Sequence, residues 1–149
     1  MTVDPPVGRP LRVLLVEDDP GDVLIAQEAL RAGNLSTRLD VVSDGVEAMA
    51  YLRKQDAYAE AERPDLILLD LNLPRMSGHE VLAELKADSS LRRIPIVVLS
   101  TSVAAEDIAK SYDLHANVYV SKPVDFDEFA GVVKQIDEFF ASVAQLPPS

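Results

Sequence analysis

Acidic, hydroxyl and amino side chains stand at the ends of four short apolar runs of the sequence. In chain order they are Glu17 to Asp19, Asp70, Ser100 and Lys122. Neighbouring carboxylates raise each other's pKa unless a cation offsets their charge. Mg²⁺ prefers oxygen ligands, takes one or two carboxylates and keeps several waters. Asp18 and Asp70 are therefore candidate Mg²⁺ ligands, with Glu17 acting through water.

A carboxylate beside a divalent cation can also act as a nucleophile toward phosphorus and become an acyl phosphate. The Lys122 ammonium and the Ser100 hydroxyl are suited to hold the phosphoryl oxygens. Asp19 has a structural interpretation, as the N-cap of a helix that begins at Pro20. Each residue alone has such an ordinary structural explanation. The prediction therefore rests on the residues at four strand ends, which together fit one metal and phosphoryl site.

The elements that must position these residues follow from the apolar pattern. Short runs at 11–16, 38–43, 65–70, 94–100 and 117–121 alternate with amphipathic segments of helical length. This alternation predicts an α/β fold with a parallel sheet and helices on both faces. The runs at 11, 65 and 94 are continuously apolar, which is typical of central strands. In such sheets ligands bind beyond the carboxyl ends of the strands.

Length and composition narrow the function classes. The chain has 149 residues, no cysteine and a net charge of −11. One domain is expected, with a flexible arm over residues 1–10, the folded unit over 11–142 and a tail over 143–149. The charge argues against nucleic acid as a partner. Disulfides are excluded, and no apolar run approaches the ~20 residues of a membrane span. We expect a cytoplasmic protein without a membrane partner.

Four motifs resemble those of the CheY-like receiver domains of bacterial response regulators. They are VEDD, LLDLNLPRMSG, VVLSTS and VYVSKPV, in that order along the chain. The resemblance covers about residues 11–140. It implies a flavodoxin-like, doubly wound, five-stranded parallel sheet of order 2-1-3-4-5 with five helices. It also implies a single-domain response regulator of two-component signalling that accepts a phosphoryl group from a sensor histidine kinase and catalyses only its own phosphorylation and dephosphorylation.

The resemblance assigns the metal and acceptor roles. It makes Asp70 the phosphoacceptor and Asp18 a direct Mg²⁺ ligand, while Glu17 acts through water. The backbone carbonyl of Asn72 completes the share of the coordination that the protein provides. Many members of the family carry Asp where this chain has Glu17, which lengthens the reach of that acid to the metal.

The resemblance also assigns the switch. Ser100, where threonine is commoner, moves toward the phosphoryl group, and Lys122 pairs with that group. Tyr119 is the aromatic residue whose rotamer follows the state of the site. The peptide bond between Lys122 and Pro123 is expected to be cis, as the family has it, although cis accounts for only ~5–6% of X–Pro bonds in general.

Three further stretches resemble the small regulators that serve phytochrome-type histidine kinases. They are DPGDVLIAQEAL, SYDLHANVYVSKPVDFDEF and IDEFFASVAQLP. A phytochrome-type kinase is therefore the expected partner. Phe139 and Phe140 are adjacent, so one of them is not needed for the buried face of the last helix. This surplus aromatic residue suggests an output surface over residues 104–142, most simply for a homodimer.

The alternatives belong to other functional classes. An aspartate-nucleophile, Mg²⁺-dependent phosphatase would need a second Asp two residues after the nucleophile, where this chain has Asn72. A flavodoxin-like electron carrier lacks its phosphate loop here, and a degenerate scaffold would not need intact site residues. His79, expected to be exposed, and His115, expected to make a structural contact, have no second histidine at ligand spacing.

Overall fold

The computed structural model describes residues 10–32 and 37–143 of the chain. These residues form a parallel sheet with strand order 2-1-3-4-5, as the resemblance implies. The strands are β1 (Arg12–Val16), β2 (Arg38–Val42), β3 (Leu66–Leu69), β4 (Ile96–Ser100) and β5 (Val118–Ser121). The predicted arm 1–10 and tail 143–149 lie almost entirely outside the described residues, so their bounds stay predictions.

Five α-helices connect the strands. They are α1 (Pro20–Ala32), α2 (Gly45–Leu52), α3 (Gly78–Ala87), α4 (Ala105–Asp113) and α5 (Phe126–Glu138). A 3₁₀ turn at Asp56–Tyr58 lies between α2 and β3, and a π-helical turn at Phe139–Val143 continues α5. A capping box begins α3: the Ser77 hydroxyl accepts from the Glu80 N–H while the Glu80 carboxylate accepts from the Ser77 N–H. In the described part of the chain, no helix has the length and apolarity to cross a membrane.

The sheet separates two apolar layers. On one face α1 and α5 pack against alternate side chains of the strands, including Leu15 and Leu68, and Phe129 of α5 is buried in this layer. On the other face α2 and α3 pack against the intervening side chains, including Leu14 and Ile67. Every residue of β3 and β4 is buried, which confirms the prediction that these runs are central strands. A sheet covered on both faces holds the ends of its strands in fixed positions, and the candidate site is built on those ends.

Candidate functional site

Glu17, Asp18 and Asp70 lie together at the carboxyl edge of the sheet. One carboxylate oxygen from each falls within 4.8 Å of the others. Glu17 and Asp70 are buried, whereas Asp18 is exposed. Positive charge nearby stabilises carboxylates this close together, and an all-oxygen donor set with one solvent-facing side suits a hard divalent ion that keeps waters. The predicted metal-ligating acids are therefore brought together, and they fit Mg²⁺.

Strand pairing explains why these acids meet. β1 and β3 are neighbours, and Val16 pairs with Leu69, the residues directly before Glu17 and Asp70. The Asp70 N–H donates to the Val16 carbonyl over 3.1 Å, and the Glu17 N–H donates to the Val42 carbonyl over 3.0 Å. The two acidic side chains thus leave the sheet at the same level on adjacent strands.

Lys122 follows β5 and reaches across the sheet edge to the acids. Its Nζ donates to Asp70 Oδ2 over 3.0 Å and also to a carboxylate oxygen of Glu17. The Lys122 side chain is only 5% exposed. A buried ammonium needs opposite charge around it, and these carboxylates supply that charge. The structure therefore places Lys122 in direct contact with the acids, where it was predicted to lie.

Asp22 is a site residue that the sequence did not reveal. Its Oδ2 accepts from Lys122 Nζ over 2.8 Å, which is shorter than the bond to Asp70. Asp22 lies in the first turn of α1, where an acid is normally explained by the helix dipole. The only signal for its role is its place one turn after Asp18, and that spacing alone does not indicate a lysine 100 residues away.

Burial and ion pairing act together on the pKa values of Glu17 and Lys122. Desolvation raises the pKa of Glu17 to about 7, and Asp70 adds to this effect while Lys122 opposes it. Burial disfavours the charge on Lys122, but its bonds to Asp22 and Glu17 and the charge of Asp70 outweigh burial and raise its pKa. The lysine is therefore a permanent cation in the site, whereas the charge of Glu17 is sensitive to its partners.

Close backbone contacts fix the loop after Asp70. A Cβ on Gly78 would lie 2.4 Å from the Asp70 carbonyl oxygen, and one on Gly45 would lie 2.1 Å from the Met76 carbonyl oxygen. The Gly78 N–H donates to the Leu71 carbonyl over 3.0 Å. Two helix starts are thus pressed against this loop, which holds the candidate acceptor in place.

Asn72 lies in the same loop and is exposed. Its backbone N–H donates to Asp70 Oδ1 over 3.2 Å. The Asn72 N–H therefore orients the candidate acceptor. The expected role of the Asn72 carbonyl as a metal ligand stays a prediction.

Ser100 and Tyr119 are connected through Ser102. Ser100 is fully buried, and its Oγ accepts from the Ser102 N–H over 3.2 Å. The half-buried Tyr119 donates from its hydroxyl to the Ser102 carbonyl over 2.8 Å. Ser102 in turn donates from its hydroxyl to Asp107 of α4 over 2.6 Å. The two predicted switch residues thus share one loop, which is tied to α4.

The prediction of a cis peptide bond between Lys122 and Pro123 is wrong for this structure. No peptide bond among residues 10–32 and 37–143 is cis. Trans is the ordinary form at X–Pro. With a trans bond, the Lys122 N–H still donates to the Ser100 carbonyl over 2.8 Å and Nζ still reaches Asp70 over 3.0 Å. These contacts do not require cis.

Neither histidine belongs to the cluster of acids with metal-ligand geometry. His79 is half-buried rather than exposed, because its Nε2 lies 3.1 Å from Ser111 Oγ and 3.3 Å from the Asp107 carbonyl of α4. His115 is exposed and adopts a left-handed conformation with φ 71° after α4. Its backbone N–H donates to the Tyr112 carbonyl over 2.9 Å, so its contact is structural, as predicted.

The face formed by α4, β5 and α5 carries exposed apolar side chains. Phe139 is 50% exposed and Val118 is 39% exposed. The Phe139 and Phe140 rings meet edge to face with centroids 5.2 Å apart. They border a groove of about 260 Å³ that also contacts Val97 and Ile136. The C-terminal end of α5 therefore presents an apolar surface, which is what the surplus aromatic residue suggested.

Comparison with known proteins identifies the family. A model of the response regulator receiver domain matches residues 13–134. The response regulator Rcp1 of Synechocystis sp. is 43% identical over 138 residues, which cover 93% of this chain and 94% of Rcp1.

Two crystal structures resemble the chain over nearly all of its length. The phosphorylated cyanobacterial phytochrome response regulator RcpA has a TM-score of 0.91 and 51% identity, covering 94% of this chain and all of RcpA. The Mn²⁺-bound form of Rcp1 has a TM-score of 0.89 and 42% identity, covering 93% of this chain and all of that one. With the acids and the lysine assembled at the strand ends, these matches show that the chain belongs to the response regulator receiver domain family of two-component signalling.

Proposed function

We propose that Asp70 accepts a phosphoryl group from a sensor histidine kinase with Mg²⁺ bound to the neighbouring acids. The observation that carries this proposal is the convergence of Glu17, Asp18, Asp70 and the ammonium of Lys122 at one sheet edge. A nucleophilic carboxylate, a candidate cation site and a fixed positive charge are the parts that phosphoryl transfer needs.

The metal proposal rests on the donor set. Asp18 and Asp70 would hold Mg²⁺ directly, Glu17 would act through water, and the Asn72 carbonyl would complete the protein ligands. When bound, Mg²⁺ would neutralise charge on the carboxylates and on the incoming phosphoryl oxygens. The Mn²⁺-bound form of Rcp1, which is 42% identical, supports a divalent ion at this edge.

The residues of the chain have distinct tasks in the transfer. An Asp70 carboxylate oxygen attacks phosphorus, and the bond between phosphorus and the imidazole nitrogen of the kinase phosphohistidine breaks. The imidazole leaves with the electron pair of that bond and takes up a proton, and an acyl phosphate remains on Asp70. The Lys122 ammonium and the Ser100 hydroxyl bind the phosphoryl oxygens. Tyr119 then reorients with the loop that carries Ser102.

A turnover phosphatase is not favoured. Such an enzyme needs a general acid to protonate its leaving group, and the position two residues after Asp70 is an amide, Asn72. Asn72 instead donates its backbone N–H to Asp70 over 3.2 Å. We therefore propose a signalling phosphoacceptor that catalyses only its own phosphorylation and dephosphorylation.

The proposed partner is a phytochrome-type histidine kinase in the cytoplasm. The support is the similarity to RcpA, a cyanobacterial phytochrome response regulator, at 51% identity. The net charge of −11 weighs against a role for nucleic acid in output. Light sensing would belong to the kinase.

The test is phosphotransfer profiling against the histidine kinases of the source organism. A phytochrome-type kinase should label the wild-type protein fastest, and Asp70→Asn should remain unlabelled. Labelling of Asp70→Asn at the wild-type level would rule out Asp70 as the acceptor. Preference for an unrelated kinase would leave the acceptor intact and reject the phytochrome partner.

We further propose that the output surface is the face formed by α4, β5 and α5, and that it forms a twofold homodimer. Phe139 at 50% exposure and the groove of about 260 Å³ beside it support this surface. Sedimentation of wild type and Phe139→Asp, with and without a phosphoryl mimic, tests the proposal. A wild type that stays monomeric in both states would leave docking to another protein as the output route.

A further inference from the structure

Among the carboxylates of residues 10–32 and 37–143 that bond to Lys122, Asp22 is the one without a place in the proposed metal and acceptor set. We propose that Asp22 is a positioning residue that holds the Lys122 ammonium and competes with the phosphoryl group for it. The inference rests on the proposed function, because it presumes that the phosphoryl group arrives on Asp70.

The geometry places Asp22 and Asp70 on the same ammonium. Lys122 Nζ is 2.8 Å from Asp22 Oδ2 and 3.0 Å from Asp70 Oδ2, and it also bonds to Glu17. The Asp22 side chain is 23% exposed, compared with 5% for Lys122 and 9% for Asp70. Asp22 thus approaches Lys122 from the solvent side, while the other two acids approach from within.

Asp22 differs from the other acids of the site because it is not a candidate metal ligand. The cluster with metal-ligand geometry contains Glu17, Asp18 and Asp70, and Asp22 is not a member. Once a cation engages those three, their negative charge is largely offset. Asp22 keeps its full charge, so it becomes the main competitor of the phosphoryl oxygens for the ammonium of Lys122.

The start of α1 holds Asp22 in place. The Asp19 carboxylate accepts from the Gly21 N–H over 2.9 Å, and the Asp22 N–H lies 3.4 Å from the same oxygen. This cap fixes the first helical turn, and the turn sets the position from which Asp22 reaches Lys122. Because Asp22 lies on this capped helix and not in the loops around Asp70, its attraction for Lys122 does not depend on the conformation of those loops.

The consequence is a defined change in affinity for a phosphoryl mimic. Replacing Asp22 with Asn keeps the size of the side chain and removes the charge that attracts Lys122. The ammonium is then free to bind the mimic fully. Because Asp22 is partly exposed and its attraction is screened by water, we expect a gain of about 3- to 10-fold rather than more.

The test is calorimetric titration with beryllofluoride in the presence of Mg²⁺. Asp22→Asn should bind beryllofluoride about 3- to 10-fold more tightly than wild type. The matched control is Asp19→Asn, which removes a neighbouring charge but keeps a good N-cap and does not contact Lys122. Asp19→Asn should bind as wild type does. An unchanged or weaker affinity in Asp22→Asn would overturn the proposal.

A second background separates competition from simple repulsion. In Lys122→Ala, the Asp22→Asn change should leave beryllofluoride affinity unaltered, because the contested ammonium is gone. An equal gain in that background would mean that Asp22 acts by repelling the anion directly, and the proposal would fall.

The contact itself can be tested without metal. In urea unfolding with a chelator present, the effects of Asp22→Asn and Lys122→Ala on the free energy of unfolding should be non-additive, as expected for residues in contact. Additive effects would contradict the contact.

Different outcomes of the titration would contradict the proposed function and the role of Asp22. Absence of beryllofluoride binding to wild type would overturn both ideas. Normal wild-type binding that Asp70→Ala abolishes, with no gain in Asp22→Asn, would overturn the role of Asp22 alone.

Discussion

Asp18 is the exposed member of the carboxylate trio, and it makes the most direct test of the metal site. Glu17 and Asp70 also bond to Lys122, so changes at either would disturb two interactions. Asp18→Ala should weaken Mg²⁺ binding by tenfold or more, since even outer-shell changes cost about 10- to 100-fold in metal affinity. Titration with Mg²⁺ measures this, with Asp19→Asn as the control. Wild-type affinity in Asp18→Ala would refute the assignment.

Lys122 should matter for the phosphoryl group and not for the metal. Its ammonium neutralises Glu17 and Asp70, so it competes with a cation for those acids. We expect Lys122→Ala to bind Mg²⁺ at least as tightly as wild type. The same variant should be phosphorylated poorly and should not change its association state when phosphorylated. A large loss of Mg²⁺ affinity would instead make Lys122 part of the metal site.

At the level of residues, the sequence predicted those site residues that directly follow a strand. Glu17, Asp18, Asp70 and Lys122 each follow an apolar run, and parallel strands bring such positions to one edge. Asp22 could not be found in this way, because it lies within a helix. Its role depends on how α1 is oriented over the sheet, which local pattern does not encode.

Among the elements, the loop from β3 to α3 is the one that holds Asp70, and Gly78 lies in close contact with the backbone of that loop. A methyl group there would lie 2.4 Å from the Asp70 carbonyl oxygen and 2.6 Å from the Leu71 Cα. Since backbone atoms must move to admit it, Gly78→Ala should lower the free energy of unfolding by about 1–3 kcal/mol. Urea unfolding measures the loss.

Gly131 of α5 provides the matched control. A Cβ there meets no atom within 4 Å. Gly131→Ala should therefore be neutral or stabilising by up to about 1 kcal/mol, because Ala is the better helix former. Equal losses in the two variants would mean that the close contact at Gly78 has no special cost.

Element types and order followed from periodicity, but finer features did not. Phe126 and Phe129 are spaced for one buried face of the last helix, yet Phe126 is 67% exposed while Phe129 is buried. Phe126 is the first residue of α5, and the helix turns inward only after it. The bond before Pro123 is trans, which agrees with the general preference at X–Pro and departs from the pattern that the family resemblance implies.

At the scale of the whole molecule, Asp137 links the last helix to the start of β2. It is 4% exposed, and its Oδ1 accepts from the Thr37 hydroxyl over 2.5 Å. Burial raises the pKa of Asp137, with the Thr37 bond opposing and Glu138 adding to the effect. The folded protein thus binds this proton more tightly than the unfolded chain does, so the carboxylate costs stability at neutral pH.

Asp137→Asn should therefore be more stable than wild type at pH 7, since Thr37 can also donate to the amide oxygen. The gain should shrink as the pH falls toward the unfolded value of 3.8, and it should vanish below that value, where wild-type Asp137 is neutral in both states. Urea unfolding across this pH range tests the sign, with Glu60→Gln at an exposed position as a control. A variant less stable than wild type at pH 7 would show that the charged form is favoured.

Asp70 is the proposed phosphoacceptor, and mapping the phosphoryl group tests this role most directly. The protein would be treated with a histidine kinase and Mg²⁺, the acyl phosphate reduced with borohydride, and the peptides sequenced by mass spectrometry. Reduction converts a phosphorylated aspartate to homoserine. We predict homoserine at position 70 and unmodified residues at positions 18 and 22. Homoserine at another acid, or a phosphoryl group on His79 or His115, would contradict the account.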